Sequence, residues 1–391
     1  MTSLRWACLA AVLLLALVCA TASAGQTRRF LHITDIHWDK FYVVGTSVTD
    51  LCHSHGGRRT LVAADDQAGT FGARGCDSPY PLVTAALQFA RSLGPLDFVV
   101  WTGDNARHNR DKAFLPTSQD EILYENTQVT QWMQQSFPSL TLVPSIGNND
   151  VYPHDSLGPG PNAILSNLTA NWRQWLSPAS QQTMSQGGYF ATQFNTETKS
   201  CSHNKYPGAQ QFAWLDQTLS AIRQSGQKAY LTGHVPPHKD YYFDSCLAAY
   251  ETITANYADI IVGHLFGHKH SDHLYVLKNQ AGAILVAPSV LPQYNPSLRV
   301  IEYDSSSYEI MNVITYWANL DAANAQGSLT FKKEYDMVSA YGLSAPLDTA
   351  QWLDMKQKTD NDPAMAKLYG FYKYVSSGMT KATHIPGHPN C

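Results

Sequence analysis

The sequence predicts an α/β fold, and two observations carry that prediction. Short apolar runs rich in β-forming residues recur along the chain and each ends in a polar cluster, as buried strands that feed loops do. Helical patterns alternate with these runs, which is the order of an α/β core. The chain has 391 residues, of which 44% are hydrophobic and 15% charged, so it can build one large packed core.

The expected strands cover Phe30–Thr34, Phe98–Thr102, Leu142–Ile146, Ala229–Thr232, Ile260–Val262 and Ile284–Val286. The helical patterns between them cover Leu82–Leu93, Glu121–Gln135 and Gln211–Ser225. After Tyr316 the pattern turns helical, over Phe331–Tyr341, Thr349–Lys358 and Ala364–Val375. We therefore expect a main α/β domain over 25–318 and a helical C-terminal subdomain over 319–391.

The N-terminus predicts export. An apolar run over Trp6–Ala20 follows Arg5 and precedes small residues, so residues 1–24 are expected to be a signal peptide. An uncleaved signal anchor is the alternative, although the run is shorter than the roughly 20 residues of a membrane span. No later segment predicts a span. We expect a glycoprotein of the secretory pathway, in a vacuole or lysosome or outside the cell, with Asn167 as the glycosylation site.

Cysteine usage agrees with an oxidising compartment. Beyond residue 24 the chain keeps five cysteines, an odd number that implies bridges and one leftover thiol: Cys52, Cys76, Cys201, Cys246 and Cys391. The segment Gly45–Ser78 is rich in Gly, Arg and His and contains Cys52 and Cys76, so it is expected to be an excursion pinned by a disulfide.

The charge balance excludes one class of partner. Lys and Arg number 27 against 31 Asp and Glu, a formal net charge of −4. This balance provides no basic face for a nucleic acid, so no specific nucleic-acid partner is expected.

Five polar clusters follow the apolar runs and contain the candidate metal ligands. Singly they are weak signals, because an Asp-x-His after a strand is more often a helix cap and a surface histidine. Together they offer seven ligands of mixed nitrogen and oxygen type, which suit two borderline ions, Zn first and Mn or Fe as alternatives, better than Mg or Ca. The seven are Asp35, His37, Asp104, Asn148, His234, His268 and His270.

The order of these clusters resembles that of the calcineurin-like metallophosphoesterases, whose pattern is DxH, GD, GNHD, GH and GHxH. The acid sphingomyelinase-like branch is more similar, and within it the endopolyphosphatases. This similarity rests on Trp101–His108, Gly147–His154, Asn295–Arg299, Glu334-Tyr335 and Tyr341–Leu343.

The resemblance implies a four-layer sandwich of two mixed sheets flanked by helices, with 25–318 as the catalytic domain. It implies one ion held by Asp35, His37, Asp104 and His270, and a second held by Asp104, Asn148, His234 and His268. It also implies the disulfides Cys52–Cys76 and Cys201–Cys246.

One position departs from the family pattern. Most of the family has a histidine after the metal-binding asparagine, as general acid or transition-state stabiliser, and this chain has Asn149. An amide cannot protonate a leaving group, although it can hydrogen-bond a phosphoryl oxygen. Endopolyphosphatase-like sequences share this asparagine.

His108 lies four residues after Asp104 and matches a histidine of the sphingomyelinase-like branch, so it is the candidate catalytic acid. The alternative is a hydrogen bond to a ligand without proton transfer. Four cations near the ligands are candidate contacts for substrate phosphates, or else a solvated basic face: Arg107, Arg110, Lys112 and Lys269.

The expected function is endopolyphosphatase-like cleavage of phosphoanhydride bonds within inorganic polyphosphate, by a monomer. The first alternative is a phosphodiesterase acting on a lipid headgroup or a nucleotide. The second is a binding protein that has lost activity, for which Asn149 is the only sequence argument.

Overall fold

The computed structural model describes residues 25–55, 66–194, 196–200, 208–277 and 281–378. Within these residues, strands form two sheets of six strands each, and α-helices flank them. In chain order the strands are β1 (Thr27–Ile33), β2 (Phe98–Trp101), β3 (Thr141–Pro144), β4 (Ala191–Phe194), β5 (Thr196–Ser200), β6 (Ala229–Thr232), β7 (Ile261–Phe266), β8 (His273–Val276), β9 (Ala283–Val286), β10 (Ser297–Asp304), β11 (Ile310–Ala318) and β12 (Phe331–Asp336).

The helices occupy the outer layers and the C-terminal end. In chain order they are α1 (Tyr80–Ser92), α2 (Gln119–Ser136), α3 (Ala163–Trp172), α4 (Pro178–Gly187), α5 (Gly208–Gln224), α6 (Asp244–Asn256), α7 (Leu320–Gln326), α8 (Met337–Tyr341), α9 (Thr349–Asn361) and α10 (Pro363–Lys373). Within the described part of the chain, no helix combines the length and apolar character needed to cross a bilayer.

Both sheets are mixed. The first has the order β12-β11-β10-β1-β2-β3, in which β1, β2 and β3 run parallel and β10, β11 and β12 join by antiparallel pairing. The second has the order β4-β5-β6-β7-β9-β8, with antiparallel strands only at its two edges. Since parallel strands share one direction, their carboxyl ends gather at one edge of each sheet.

The apolar side chains of β1 explain the layers. Phe30 packs between the two sheets with Tyr230 and Leu265, whereas the next residue, Leu31, points to the outer face and packs with α1 and α2. Both faces of this strand are buried, which is why it reads as a continuous apolar run. The second sheet is covered in the same way by α5 and α6. The predicted four-layer sandwich is confirmed.

One predicted helix is wrong in its first half. Residues Phe331–Asp336 form the edge strand β12, and only Met337–Tyr341 is helical. The pairing with β11 shifts register at Glu334, so Phe331 packs against the outer cluster while Tyr335 packs between the sheets. This bulge breaks the strict alternation that identifies a strand. The segment after 318 therefore adds the edge strand β12 to the first sheet. The domain boundary at 318 stays a prediction.

Candidate metal centre and active site

The predicted ligands lie in loops at the carboxyl ends of parallel strands of both sheets. Asp35 follows β1, Asp104 follows β2, Asn148 follows β3, and His234 follows β6. The loop after β7 carries His268 and His270. The loops are joined by backbone hydrogen bonds, such as the one from the Asp35 amide to the Gly103 carbonyl at 3.0 Å. The fold thus brings all seven ligands to one place.

Four of them form a first group around one point. The Nε2 atom of His37 lies 3.2 Å from Nε2 of His270 and 3.3 Å from Oδ2 of Asp104. Oδ1 of Asp35 lies 3.3 Å from Nε2 of His270 and 3.7 Å from Nε2 of His37. All four residues are buried.

The other ligands form a second group that shares Asp104. Nε2 of His234 lies 3.2 Å from the same Oδ2 of Asp104 and 2.9 Å from Oδ1 of Asn148. Nδ1 of His268 lies 3.0 Å from that amide oxygen and 3.3 Å from Nε2 of His234. Oδ2 of Asp104 therefore lies between the two groups, which is the position of a bridging ligand.

These distances fit a pair of metal ions. Metal–ligand bonds of about 2.0 Å at tetrahedral angles place neighbouring ligand atoms roughly 3.3 Å apart. The ring nitrogens also have the required orientation, because His37 donates from Nδ1 to the Ala106 carbonyl at 3.0 Å and His234 donates from Nδ1 to the Thr102 carbonyl at 2.7 Å. His270 turns Nδ1 toward Oε1 of Gln293. Such contacts leave the opposite nitrogen as the ligand.

The electrostatics of the site attract positive charge. Burial alone would raise the pKa of Asp35 and Asp104, but the neighbouring imidazoles lower the pKa of both, chiefly His270 at Asp35 and His234 at Asp104. Burial opposes a proton on His234 as well, yet Asp104 raises its pKa to about 9. Burial and the charge of His234 lower the pKa of His268 to about 3, so this imidazole is neutral and suited to bind a metal.

The ligand loops depend on glycine and on strained backbone. A Cβ at Gly147 would lie 2.0 Å from Oδ1 of Asp104, and one at Gly267 would lie 2.1 Å from Oγ1 of Thr34, so neither position accepts a side chain. Five ligands have the positive φ that non-glycine residues rarely adopt: Asp35, His37, Asp104, His268 and His270. Strain of this kind concentrates at functional sites.

The structure adds residues that we did not single out from the sequence. Asp150 accepts backbone N–H bonds from Asp104 at 2.9 Å, Asn105 at 2.7 Å and Gly147 at 2.8 Å, so it ties the loops after β2 and β3 together. Gln293 orients His270. The signal for Asp150 was present, because Asp150 matches the last residue of the family's GNHD pattern, whereas nothing in the sequence near Gln293 points to the site.

A chain of contacts also supports Asn148. Its amide nitrogen Nδ2 lies 3.0 Å from Nε2 of His154, and Nδ1 of His154 lies 3.2 Å from Oδ2 of Asp155. If Nδ1 of His154 carries the proton toward Asp155, then Nε2 accepts from the amide. This arrangement turns the amide oxygen of Asn148 toward the second ligand group.

Asn149 is 4% exposed, and its side chain points to the ligands. Its amide donates to Oδ2 of Asp104 at 2.8 Å, and its backbone N–H donates to Oδ1 at 2.8 Å. Asn149 thus holds the carboxylate of Asp104, and a contact with substrate stays a prediction.

His108 stacks on His37, with ring centres 3.9 Å apart, and donates from Nδ1 to Oδ1 of Asp77 at 2.7 Å. One atom each of His37, His108 and His270 lies within 4.8 Å of the others. Burial and the charge of His37 hold the pKa of His108 well below its usual value, although Asp77 opposes them. Its role as an acid stays a prediction.

Two of the four cations predicted to contact substrate instead form ion pairs within the protein. Arg107 is 1% exposed, and it donates from Nε to Glu121 at 2.6 Å and from Nη2 to the Leu115 carbonyl at 2.8 Å. Arg110 pairs with Asp77 at 2.5 Å. These contacts give both arginines structural partners, which disfavours a role in binding substrate.

The two lysines differ in their surroundings. Lys112 is exposed on the loop before α2. Lys269 is half-buried between two ligands, with Nζ 5.0 Å from the ring centre of Tyr241, which itself lies edge-on to His268 at 5.1 Å. Lys269 is therefore a half-buried cation between two predicted ligands in sequence, and its contact with substrate stays a prediction.

The predicted disulfide Cys52–Cys76 is confirmed, with the two Cα atoms 5.9 Å apart. Cys201 and Cys391 lie outside the described residues, so the Cys201–Cys246 pairing stays a prediction. The signal peptide predicted over 1–24 lies outside them too. Asn167 lies half-buried on α3 and accepts from Nδ2 of Asn171 at 3.0 Å. Its glycosylation also stays a prediction.

Comparisons with known proteins identify the family. The profile of the calcineurin-like phosphoesterases matches residues 28–272, and that of the acid sphingomyelin phosphodiesterase C-terminal region matches residues 280–379. The chain therefore belongs to the calcineurin-like phosphoesterases and carries this C-terminal region. The C-terminal profile begins well before residue 319, within the second sheet.

Two kinds of curated relative are similar to this chain. The cyclic GMP-AMP phosphodiesterase SMPDL3A of Bos taurus is 32% identical over 351 residues, which cover 81% of this chain and 76% of the relative. An endopolyphosphatase of Cryptococcus neoformans is 34% identical over 297 residues, which cover 64% of this chain. The match spans 44% of that endopolyphosphatase, less than half its length. Membership of this family makes the chain a phosphohydrolase. The relatives include both cyclic GMP-AMP phosphodiesterases and endopolyphosphatases, so they do not decide which substrate this chain cleaves.

Proposed function

We propose that this chain hydrolyses phosphoanhydride bonds within inorganic polyphosphate, using two divalent ions held by the seven ligands, with Zn first and Mn or Fe as alternatives. The observation that carries the proposal is the amide of Asn149 beside the bridging Asp104, where most of the family has an imidazole. The leaving group of an anhydride is a phosphate chain end that is stabilised without a proton. An alkoxide has no such stabilisation and needs an acid.

The residues around the ligands support this chemistry. When bound, the two ions supply charge neutralisation at the phosphoryl group and activation of a water molecule. Asn149 fixes the bridging carboxylate, and Asp150 fixes the loops that carry it. The pKa of His108 is held low by burial and by His37, which disfavours a proton donor and suits a reaction that needs none.

A phosphodiesterase acting on a nucleotide or lipid headgroup is the second candidate, and one observation favours it. A cavity beside the second ligand group has apolar walls from Ile146, Val151, Leu157 and Val235. Tyr241 lies edge-on to the ligand His268. Apolar and aromatic surfaces of this kind suit an organic leaving group better than a phosphate chain.

A substrate panel tests the proposal. The purified chain is given long-chain polyphosphate, a cyclic dinucleotide, sphingomyelin, a nucleoside triphosphate and bis-p-nitrophenyl phosphate, at acidic and neutral pH. We expect the highest kcat/KM with polyphosphate, and products of intermediate chain length that indicate internal cleavage. A higher kcat/KM with the cyclic dinucleotide or with sphingomyelin would put the second candidate first.

The two-metal part has its own test. We expect Asp104→Ala and His234→Ala each to abolish hydrolysis of every substrate and to lower the metal content, because each removes a ligand from the centre. Variants that keep near wild-type turnover and metal content would refute the two-metal centre.

We also propose a secretory or vacuolar location, which the Cys52–Cys76 disulfide supports because disulfides persist in oxidising compartments.

A further inference from the structure

A separate group of imidazoles and carboxylates lies outside the seven ligands. Oδ2 of Asp111 faces two ring nitrogens, Nδ1 of His53 at 2.8 Å and Nε2 of His55 at 2.7 Å. These three atoms lie within 4.8 Å of one another. His53 and Asp111 are buried, and the His55 side chain is 18% exposed.

The outer nitrogens of both histidines also face carboxylates. Nε2 of His53 lies 2.8 Å from Oδ2 of Asp39, whose other oxygen accepts the N–H of Phe41 at 2.9 Å. Nδ1 of His55 lies 3.9 Å from Oδ1 of Asp50. A carboxylate hydrogen-bonded behind an imidazole, as Asp39 is behind His53, is the pattern that orients histidines in metal sites. Asp50 lies beyond hydrogen-bond distance of His55.

The backbone before His53 is held in an unusual shape. Leu51 and Cys52 have φ of 56° and 59°, and Cys52 is fixed by its disulfide to Cys76. Non-glycine residues keep such values only where the surroundings enforce them. The strained pair turns His53 inward toward Asp39 and Asp111.

His53 bridges two carboxylates with its two ring nitrogens. Nδ1 lies 2.8 Å from an oxygen of Asp111, and Nε2 lies 2.8 Å from an oxygen of Asp39. Without a metal ion this arrangement needs a proton on each nitrogen, whereas a metal ion bound at Nδ1 would leave Nε2 to donate to Asp39.

We propose that His53, His55 and Asp111 bind a third divalent ion, distinct from the two of the catalytic centre. Two imidazoles and one carboxylate form the donor set of zinc and similar borderline ions, with water completing a tetrahedron. Bonds of about 2.0 Å would separate the ligand atoms by roughly 3.3 Å, so the ion would move them about 0.5 Å apart from the hydrogen-bonded arrangement. The ion would fasten the disulfide-bounded segment to the loop that follows His108.

The test counts zinc ions per chain. The full chain is stripped with a chelator, reloaded with excess zinc, desalted and analysed by elemental mass spectrometry. We expect three ions in the wild type and two in His55→Phe. The ring of His55 stacks on Phe114 with ring centres 4.3 Å apart, and a phenylalanine at this position should keep that stacking. Asp111→Asn is the second variant and should also hold two.

His238→Phe is the matched control, because His238 stacks on Tyr275 at 4.2 Å in the same way but belongs to no ligand group among the described residues. It should keep all three ions. Asp104→Ala, combined with His234→Ala, should keep one ion, and adding His55→Phe should remove it. Equal zinc counts in the wild type, His55→Phe and Asp111→Asn would overturn the third site. A wild type with a single ion that His55→Phe removes would support the third site and refute the two-metal centre.

Discussion

At the scale of single residues, His154 and Asp155 decide how Asn148 meets the second ligand group. The Asn148 side chain presents either its oxygen or its nitrogen to the centre, and only the oxygen can bind a metal. Nε2 of His154 lies 3.0 Å from Nδ2 of Asn148, while Oδ1 lies 2.9 Å from Nε2 of His234. With the proton of His154 on Nδ1, we expect this side chain to position the amide of Asn148.

We expect His154→Ala to weaken binding of one of the two ions by about 10–100-fold, the usual effect of removing such support. His154→Gln offers a side-chain oxygen that accepts the same amide hydrogen and should restore most of the affinity. Competition with a chelator of known affinity measures both variants. Equal ion affinity in the wild type and His154→Ala would show that Asn148 needs no support.

Asn149 is the residue on which the proposed preference for anhydrides over esters rests. A positioned acid is worth about 10²–10⁴-fold for a poor leaving group. We therefore expect Asn149→His to raise hydrolysis of alkyl phosphodiesters selectively and to change polyphosphate cleavage little. The rates of both reactions, measured on the same preparation, decide this. An equal rise on both substrates would refute the leaving-group argument.

Each of the seven predicted ligands lies in a short motif after an apolar run, and the structure brings these seven side chains together. The sequence could not predict which cations pair with carboxylates inside the protein. Nothing in the sequence around Arg107 and Arg110 distinguishes them from lysines that reach solvent. Their carboxylate partners, Glu121 and Asp77, lie 14 and 33 residues away. The partners of a charged side chain depend on the tertiary fold, which motif spacing does not contain.

At the scale of elements, the disulfide Cys52–Cys76 closes a segment of 24 residues next to the active site. A loop of this length is expected to stabilise the fold by about 3 kcal/mol, through the entropy of the unfolded chain. We expect replacement of both cysteines by serine to lower the free energy of unfolding by that amount, as measured in urea. The same comparison under reducing conditions is the control, because the wild type then lacks the bridge as well, and an equal difference there would contradict the prediction.

The mapping of disulfides tests the remaining pairing. Peptides from unreduced protein should link Cys201 to Cys246, and this link should persist when Cys52 is replaced. A peptide that joins Cys52 to Cys246 would show that the predicted pairing is wrong.

The elements themselves were predictable to different degrees. β1, β2 and β7 were found because they are buried on both faces and form continuous apolar runs. The sequence predicts a helix at β12 because the bulge at Glu334 removes the alternation that identifies a strand. An irregular edge strand of this kind is recognised from its pairing with the neighbouring strand, which the sequence pattern does not contain.

At the scale of the whole molecule, a buried network joins the two sheets and the C-terminal helices. Asp272, two residues after the ligand His270, pairs with Arg299 of β10 and accepts from Oη of Tyr335 of β12 at 2.8 Å. The backbone N–H of Asp272 donates to the carbonyl of Lys373 at 3.0 Å, at the end of α10. The Asn295–Arg299 and Glu334-Tyr335 motifs, noticed only through resemblance, thus have a structural reason.

This network predicts a coupling between stability and the metal centre. Arg299 is fully buried, so Arg299→Met leaves the carboxylate of Asp272 buried without its cation. Removing one partner of a buried ion pair costs about 3–5 kcal/mol, whereas removing both costs much less. We therefore expect Arg299→Met to lower the free energy of unfolding by that amount and to weaken zinc binding through the His270 loop. The double variant Arg299→Met with Asp272→Asn should recover much of the loss, and urea unfolding with zinc titration measures both effects. Simple addition of the two single losses in the double variant would show that the pair does not act as a unit.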